Sequence, residues 1–265
     1  MNRETEEKLA RSLTAETTEL LPYLPYLLQD FWELGSAPES TAELIKRHIC
    51  PSENTRILDL ACGKGAVSVK LAQKLQARVK GIDIMPAFIE FAAQKAKDFG
   101  VDDLCEFMAA DINEAIKTER DYDCVVFVSA GNALGGAAET LQALKTAVKP
   151  GGYLLIEDAY LSGSSSLEDI KYHYDYLTKT QWTALFSDMN LELAETVYDD
   201  SPSPNKESDM AAISARAAEL IAKHPEKRAI FEGYIRSQQN EYDDLDDSLV
   251  CVAWMLRKPQ PCVSR

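Results

Sequence analysis

The sequence is poor in the residues that bind metal ions or cross-link a chain. Among its 265 residues are three histidines and six cysteines, and no two cysteines form a C-x-x-C pair. Zinc sites and disulfide frameworks depend on closely spaced cysteines and histidines, so we expect neither a bound metal nor a disulfide scaffold. Several cysteines lie in apolar, strand-like runs, which is typical of small buried thiols in a reducing cytosol.

Positive charge is also scarce. The chain has 28 lysines and arginines against 43 aspartates and glutamates, a formal net charge of −15 at pH 7. A protein that binds nucleic acid needs a basic surface to neutralise phosphates, so this balance disfavours a nucleic-acid partner. No Gly-x-x-x-x-Gly-Lys-Ser/Thr motif is present, which disfavours a nucleoside triphosphate as ligand.

Long apolar runs are absent as well. No segment approaches the ~18 consecutive apolar residues that a membrane-spanning helix requires. Residues 1–11 carry charges of both signs and lack the apolar core of a secretion signal. We therefore expect a cytoplasmic protein without a membrane partner, and a length that suits one embellished domain better than two.

The sequence does contain one strong local pattern, at residues 56–75. A short buried strand is predicted by Ile57, Leu58 and Leu60. Gly63 and Gly65 predict a tight turn, and apolar residues four apart predict a helix over 66–75. Glycines let a backbone approach a ligand closely, and a helix N-terminus offers free N–H groups. The pattern therefore predicts a backbone cradle for a ligand.

A second predicted strand, over 78–84, carries an acidic residue near its end. Asp83 follows the glycines by about 20 residues, where a nucleotide-binding β-α-β unit has a ribose-binding acid. Its carboxylate can accept hydrogen bonds from both ribose hydroxyls of a nucleoside. The alternative is that Asp83 only caps the helix predicted over 86–99.

The glycine turn differs from a dinucleotide fingerprint. That fingerprint reads Gly-x-Gly-x-x-Gly, and Ser68 stands at the third glycine here. The turn is instead preceded by an acid within the strand, in the pattern Asp59-x-Ala61-x-Gly63-x-Gly65. These differences disfavour an NAD(P)-dependent Rossmann oxidoreductase, which is kept as an alternative function.

This pattern resembles the first motif of the class I S-adenosylmethionine-dependent methyltransferases, of small-molecule type. One departure is Ala61, where the family more often has glycine. The resemblance covers about residues 40–160 and includes a third strand at 107–112, a fourth at 122–129 and a Lys-Pro-Gly-Gly turn at 149–152 before the fifth.

The resemblance implies an α/β fold. It is a Rossmann-like, doubly wound, mostly parallel seven-stranded sheet with the last strand antiparallel. We expect a single methyltransferase domain over 1–265, with an N-terminal helical cap at 1–36, a core at 37–198 and 248–258, and a helical insertion at 199–247 before the last strand.

The cap and the insertion each leave two interpretations open. The cap begins with an amphipathic helix predicted over 2–21, and it either folds over the ligands or packs on the flank of the sheet. The insertion, opened by a Ser-Pro-Ser-Pro run, reads as a helical hairpin. It either covers the acceptor pocket or forms a contact in a homodimer.

The resemblance also implies S-adenosylmethionine as the cofactor, with S-adenosylhomocysteine as product. Asp83 would hold the ribose, Asp111 the adenine amino group and the 61–65 turn the amino acid moiety, with Asp59 organising that turn. Cys62 is then a residue of the ligand loop rather than a nucleophile. The expected cofactor-binding residues are Asp59, Ala61, Cys62, Gly63, Gly65, Asp83, Ile84, Met85, Asp111, Ile112 and Ser129.

The residues expected on the acceptor side follow the fourth and fifth strands. His173 is the candidate catalytic base, because an imidazole near its ordinary pKa can remove a proton from an acceptor. The tyrosines can form aromatic walls that suit a cation, or only the exposed face of a strand. Asn132 can contact a ligand or merely permit a loop turn. The expected substrate-binding residues are Asn132, Glu157, Tyr160, Tyr172 and Tyr176.

Together these features predict an enzyme that moves a methyl group from S-adenosylmethionine to a small-molecule acceptor by in-line displacement. Positioning of the two reactants and exclusion of water are expected to supply most of the catalysis. Besides the oxidoreductase, the alternative is a non-catalytic protein that binds S-adenosylmethionine.

Overall fold

A computed structural model describes residues 3–163, 165–172, 176–199 and 205–261. In these ranges the strands are β1 (Arg56–Leu60), β2 (Arg78–Asp83), β3 (Cys105–Ala109), β4 (Tyr122–Phe127), β5 (Val148–Leu161), β6 (Glu192–Tyr198) and β7 (Leu249–Arg257). The α-helices are α1 (Arg3–Ser12), α2 (Leu24–Leu27), α3 (Pro38–His48), α4 (Ala66–Leu75), α5 (Pro86–Asp98), α6 (Ile112–Ala115), α7 (Ala137–Ala147), α8 (Lys179–Asp188), α9 (Lys206–Lys223) and α10 (Arg228–Asp247).

The strands form one seven-stranded sheet in the order β3-β2-β1-β4-β5-β7-β6. Strands β1 to β5 pair in parallel. Strand β7 runs antiparallel, because Lys258 beyond its end exchanges backbone hydrogen bonds with Gly151 and Gly152 of β5, while Ser248 before its start accepts from Ser162 beyond the end of β5. The predicted Rossmann-like fold with an antiparallel last strand is confirmed.

The inner strands of the sheet are buried and carry branched apolar side chains, as β1 illustrates. Strand β1 is exposed at Arg56 and buried at its other four residues. Ile57 of this strand joins a core that includes Val79, Val126, Leu155 and Met255. A strand buried on both faces is expected where helices cover both sides of a parallel sheet.

The chain divides into two compact units. The sheet unit comprises the described residues within 32–158, 182–197 and 253–265. The helical unit comprises those within 1–31, 159–181 and 198–252.

In the helical unit, the N-terminal segment packs on the antiparallel pair α9 and α10. Arg216 of α9 makes a bidentate ion pair with Asp30, at 2.7 and 2.9 Å. The ring of Tyr23 meets Phe231 of α10 edge to face, with centroids 5.1 Å apart. Phe231 is fully buried, so this contact forms part of the core of the unit.

Three local predictions differ from the structure. The helix predicted over 2–21 ends at Ser12, because Thr14 has a left-handed backbone (φ +60°) and Thr17 caps a new 3-10 helix. The third strand ends at Ala109, so Asp111 caps α6 instead of ending the strand. The predicted 149–152 turn lies within β5, where Gly151 (φ +80°) absorbs the irregularity and the strand continues to Leu161.

Within the described ranges, none of the helices combines the length and the apolar character needed to cross a membrane.

Candidate functional site

The turn between β1 and α4 has an unusual backbone. Ala61, Gly63 and Gly65 all have positive φ angles, of 58°, 52° and 73°. A Cβ atom on Gly65 would lie 2.6 Å from the Cβ of Ala92 on α5, closer than any real side chain permits. Glycine is therefore required there by conformation and by space.

Ala61, which stands where the family more often has glycine, has a backbone conformation typical of glycine. Its φ of 58° is one that glycine adopts freely, whereas an alanine there costs roughly 1–2 kcal/mol. Strain of this kind persists only where the surrounding structure over-determines the conformation. The alanine therefore keeps the turn geometry that a glycine would give.

Asp59 lies beneath the turn, at 1% exposure. Its carboxylate accepts a hydrogen bond of 2.5 Å from the hydroxyl of Ser68, which is fully buried on α4. Burial raises the pKa of Asp59 to about 7, although the Ser68 bond lowers it. The serine at the third-glycine position thus ties the strand acid to the helix.

Asp83 connects the end of β2 to the same turn. One carboxylate oxygen accepts from the backbone N–H of Gly63 at 2.9 Å, and the other from that of Met85 at 2.9 Å. Burial raises the pKa of Asp83, while the N–H groups of Met85, Gly63 and Ile84 oppose that rise. A carboxylate has about four acceptor positions, so these bonds leave capacity for further donors.

Cys62 is partly exposed, and its sulfur lies beside β2. A Cβ on Gly81 of β2 would lie 3.0 Å from its sulfur. Burial, together with Asp59 and Asp83, raises the pKa of the Cys62 thiol well above its ordinary value. Since the thiolate is the nucleophilic form, this environment suits a packed thiol in the turn.

Asp111 and Ser129 follow the next two strands of the sheet. Asp111 accepts from the backbone and side-chain N–H groups of Asn113, at 2.9 and 3.0 Å. The same Asn113 side chain donates to the carbonyl of Ala133, in the loop after β4, at 3.0 Å. These bonds connect the segments that follow β3 and β4, and Ile112 begins α6 beside them.

The segment 32–35 lies against the turn, a contact that the motifs do not specify. The indole N–H of Trp32 donates to the carbonyl of Lys64 at 3.1 Å. A Cβ on Gly63 would lie 3.0 Å from a methyl carbon of Leu34. The carbonyl of Gly35 accepts from the hydroxyl of Ser129 at 3.0 Å.

Three residues other than glycine have left-handed backbone at this contact. Leu34 and Ser129 have φ angles of 39° and 51°, in addition to Ala61 at 58°. Left-handed backbone at residues other than glycine is uncommon and clusters at functional sites. The only hint in the sequence is the aromatic and glycine composition of 31–35.

The residues expected on the acceptor side fall in both units. Asn132 and Glu157 belong to the sheet unit, whereas Tyr160, Tyr172 and Tyr176 belong to the helical unit. The three tyrosines have different surroundings. Tyr160 interacts with Tyr198 and Lys179, Tyr172 donates to the carbonyl of Arg11 at 2.9 Å, and Tyr176 packs near Ala159 and Ile170. His173 lies outside the described residues.

Comparison with known proteins gives the family. The sequence profile of a family described as a methyltransferase domain matches residues 51–234, more than half of the chain. The chain belongs to the methyltransferase-domain family. The membership that the acid-and-glycine motif predicts is thereby confirmed.

Individual relatives of this methyltransferase-domain protein are distant. The sterol 4-C-methyltransferase strm-1 of Caenorhabditis elegans is 26% identical over 126 residues, which are 48% of this chain and 37% of that protein. The chain spans about 37–61% of the length of the first curated relatives that it matches.

Solved structures match over most of their length. A methyltransferase from Thiobacillus denitrificans in complex with S-adenosylhomocysteine has a TM-score of 0.73 at 20% identity, covering 88% of this chain and 97% of that one. The [4+2]-cyclase SpnF has a TM-score of 0.70 at 14% identity, covering 93% and 98%. These likenesses establish the shared fold.

Proposed function

We propose that this methyltransferase-domain protein binds S-adenosylmethionine at the 61–65 turn and transfers its methyl group to a small-molecule acceptor. The observation that carries the proposal is the bond between the Asp83 carboxylate and the Gly63 N–H, in a turn where Ala61, Gly63 and Gly65 all have positive φ angles. A cationic nucleoside needs an acidic group beside a backbone that it can approach closely, and this pair supplies both.

Each residue of the proposed site has a role that its position supports. Asp83 would hold the ribose hydroxyls, the 61–65 turn the amino acid moiety, and Asp111 the adenine amino group. Asp59 would act through Ser68 to fix the turn. The other proposed contacts are Cys62, Ile84, Met85, Ile112 and Ser129.

When bound, S-adenosylmethionine supplies an electrophilic methyl group on a sulfonium. The protein then has to orient the acceptor and keep water away. Trp32 and Leu34, which lie against the turn, would exclude water from it. His173 remains the proposed base for an acceptor that must lose a proton.

A small-molecule acceptor is the finer part of the proposal. The net charge of −15 disfavours nucleic acid, and relatives named for a sterol and for ubiquinone biosynthesis act on small molecules. The residues proposed to contact the acceptor are Asn132, Glu157, Tyr160, Tyr172 and Tyr176. We retain one methyltransferase domain over 1–265, a cytoplasmic location and a homodimer as further proposals.

Two alternatives have testable consequences. One is a non-catalytic protein that binds S-adenosylmethionine without transferring its methyl group. An NAD(P)-dependent oxidoreductase is kept as the weaker one, because Ser68 replaces the third glycine that helix packing in a dinucleotide site requires.

Calorimetry with S-adenosylhomocysteine and, separately, with NAD tests the proposal. We expect S-adenosylhomocysteine to bind, NAD not to bind, and Asp83→Asn to weaken the former at least about tenfold, because Asn both loses the charge and presents N–H groups to N–H donors. Asp102→Asn, at an exposed loop position, is the control. Unchanged binding by the Asp83 variant would disprove the assigned site.

Methyl transfer itself needs a second assay. A metabolite panel incubated with methyl-labelled S-adenosylmethionine should give at least one labelled small molecule. Donor binding without any labelled product would favour the non-catalytic alternative.

A further inference from the structure

Helix α10 of the helical unit buries a polar face. Tyr234, Ser237, Glu241 and Asp244 are spaced three or four residues apart, so their side chains lie along one side of the helix. Tyr234, Ser237 and Asp244 are at most 2% exposed, and Glu241 is half-buried. The buried face of a helix is normally apolar, so this one requires an explanation.

One member of this polar face has a structural role. Both carboxylate oxygens of Asp244 accept backbone hydrogen bonds, from Lys171 at 2.9 Å and from Tyr172 at 2.7 Å. Asp244 therefore fixes the segment that carries Tyr172 beside the helix. The hydroxyl of Tyr172 in turn donates to the carbonyl of Arg11 at 2.9 Å.

Ser237 and Glu241 are not satisfied in this way. The Ser237 hydroxyl, at 1% exposure, has no hydrogen-bond partner among the described residues. Glu241, one turn further along, accepts a hydrogen bond from Thr14. Over residues 3–163, 165–172, 176–199 and 205–261, it forms no ion pair with a lysine, arginine or histidine. A buried polar atom without a partner is costly, so a ligand or a water that bonds to it would be stabilising.

The electrostatics of the face favour a positive charge. Burial and the neighbouring Asp244 raise the pKa of Glu241, and Thr14 is the group that opposes this rise. The pKa values of Tyr172 and Tyr234 are also raised, first by burial and next by the charge of Glu241. A cation at Glu241 would relieve both effects, and the tyrosine rings offer faces that attract cations.

We infer that Glu241, Ser237 and Tyr234 bind a small molecule through a protonated amino group. The Glu241 carboxylate accepts from the ammonium N–H groups, and the Ser237 hydroxyl receives its missing partner from the same ligand. The inference goes beyond the proposed function. Binding of the amine itself does not depend on the proposed function.

The test compares two probes of equal size that differ in charge. Calorimetry on the full chain at pH 7.5 measures 2-phenylethylamine and 2-phenylethanol, each with and without S-adenosylhomocysteine. We expect the amine to bind at least about tenfold more tightly than the alcohol. Glu241→Gln should reduce that ratio to within about threefold, since it keeps the size of the side chain and removes its charge.

Glu232→Gln is the matched control. Glu232 is on the same helix and forms an exposed ion pair with Arg228, so its replacement should leave the ratio unchanged. Ser237→Ala should weaken binding of the amine without lowering the melting temperature, because it removes an unpartnered hydroxyl.

The outcomes separate this inference from the proposed function. Equal binding of amine and alcohol by the natural protein, or no binding of either, overturns the inference even if Glu241→Gln fails to fold. So does a tenfold ratio that persists in a folded Glu241→Gln protein. If the natural protein does not bind S-adenosylhomocysteine but still binds the amine more tightly than the alcohol, the proposed function is refuted and the amine site is supported.

Discussion

Replacement of Gly65 by alanine tests the geometry of the turn most directly. The substitution places a methyl group 2.6 Å from the Cβ of Ala92 and 3.2 Å from its Cα, on a backbone with φ +73°. The left-handed conformation costs an alanine roughly 1–2 kcal/mol, and overpacking of a tight contact adds roughly 1–3 kcal/mol. We therefore expect Gly65→Ala to lower the free energy of unfolding by about 2–5 kcal/mol.

Gly100→Ala separates the two contributions. Gly100 has a similar φ of +65°, but a Cβ there would meet nothing within 4 Å. Its replacement should carry the conformational cost alone, about 1–2 kcal/mol. Urea denaturation followed by circular dichroism measures both variants, with their m-values compared.

A double variant identifies the clash. Ala92→Gly removes the methyl group that Gly65→Ala would strike, so the pair should be less destabilising than the sum of the single changes by about 1 kcal/mol or more. If Gly65→Ala costs no more than Gly100→Ala, or if the pair is additive, the turn is not packed against α5 as described.

Two further predictions concern the same site. The pKa of Asp59 is about 7 in the fold, above the ordinary ~3.9 of an unfolded chain, so this residue favours folding most at low pH and loses that contribution as pH rises from about 4 to 7. Asp59→Asn should therefore reduce the fall in unfolding free energy between pH 5 and 8, and equal pH dependence in both proteins would contradict the assignment. Trp32→Phe should accelerate amide hydrogen exchange over 32–36, because it removes the bond of 3.1 Å to the Lys64 carbonyl. Trp182→Phe, whose indole N–H has no partner among the described residues, controls for ring size, and equal exchange at 32–36 in both variants would refute the role of the bond.

The core of the fold could be predicted because its signals are local. Within the single segment 56–75, an apolar run marks the strand, two glycines mark the turn, and apolar residues four apart mark the helix. Asp83 could be placed at the turn because the carboxyl ends of neighbouring parallel strands, here β1 and β2, lie at the same edge of the sheet.

The contacts that complete the site could not be predicted, because they join residues far apart in the chain. The bonds from Trp32 to Lys64 and from Ser129 to Gly35 depend on how loops are placed by the folded sheet. Ser68 was recognisable only as a missing glycine, and its bond to Asp59 has no signal of its own. The contacts of these side chains depend on tertiary structure, about which the periodicity of the sequence gives no information.

The N-terminal segment has consequences for synthesis of the chain. Tyr23 emerges from the ribosome about 200 residues before Phe231, its aromatic partner. At roughly 5–20 residues per second, the nascent segment therefore waits about 10–40 seconds before α10 can cover it. A translation product that stops before 228 would lack α10 and leave the ring of Tyr23 without its partner Phe231. Chaperones and proteases would then bind the surface that such incomplete chains expose.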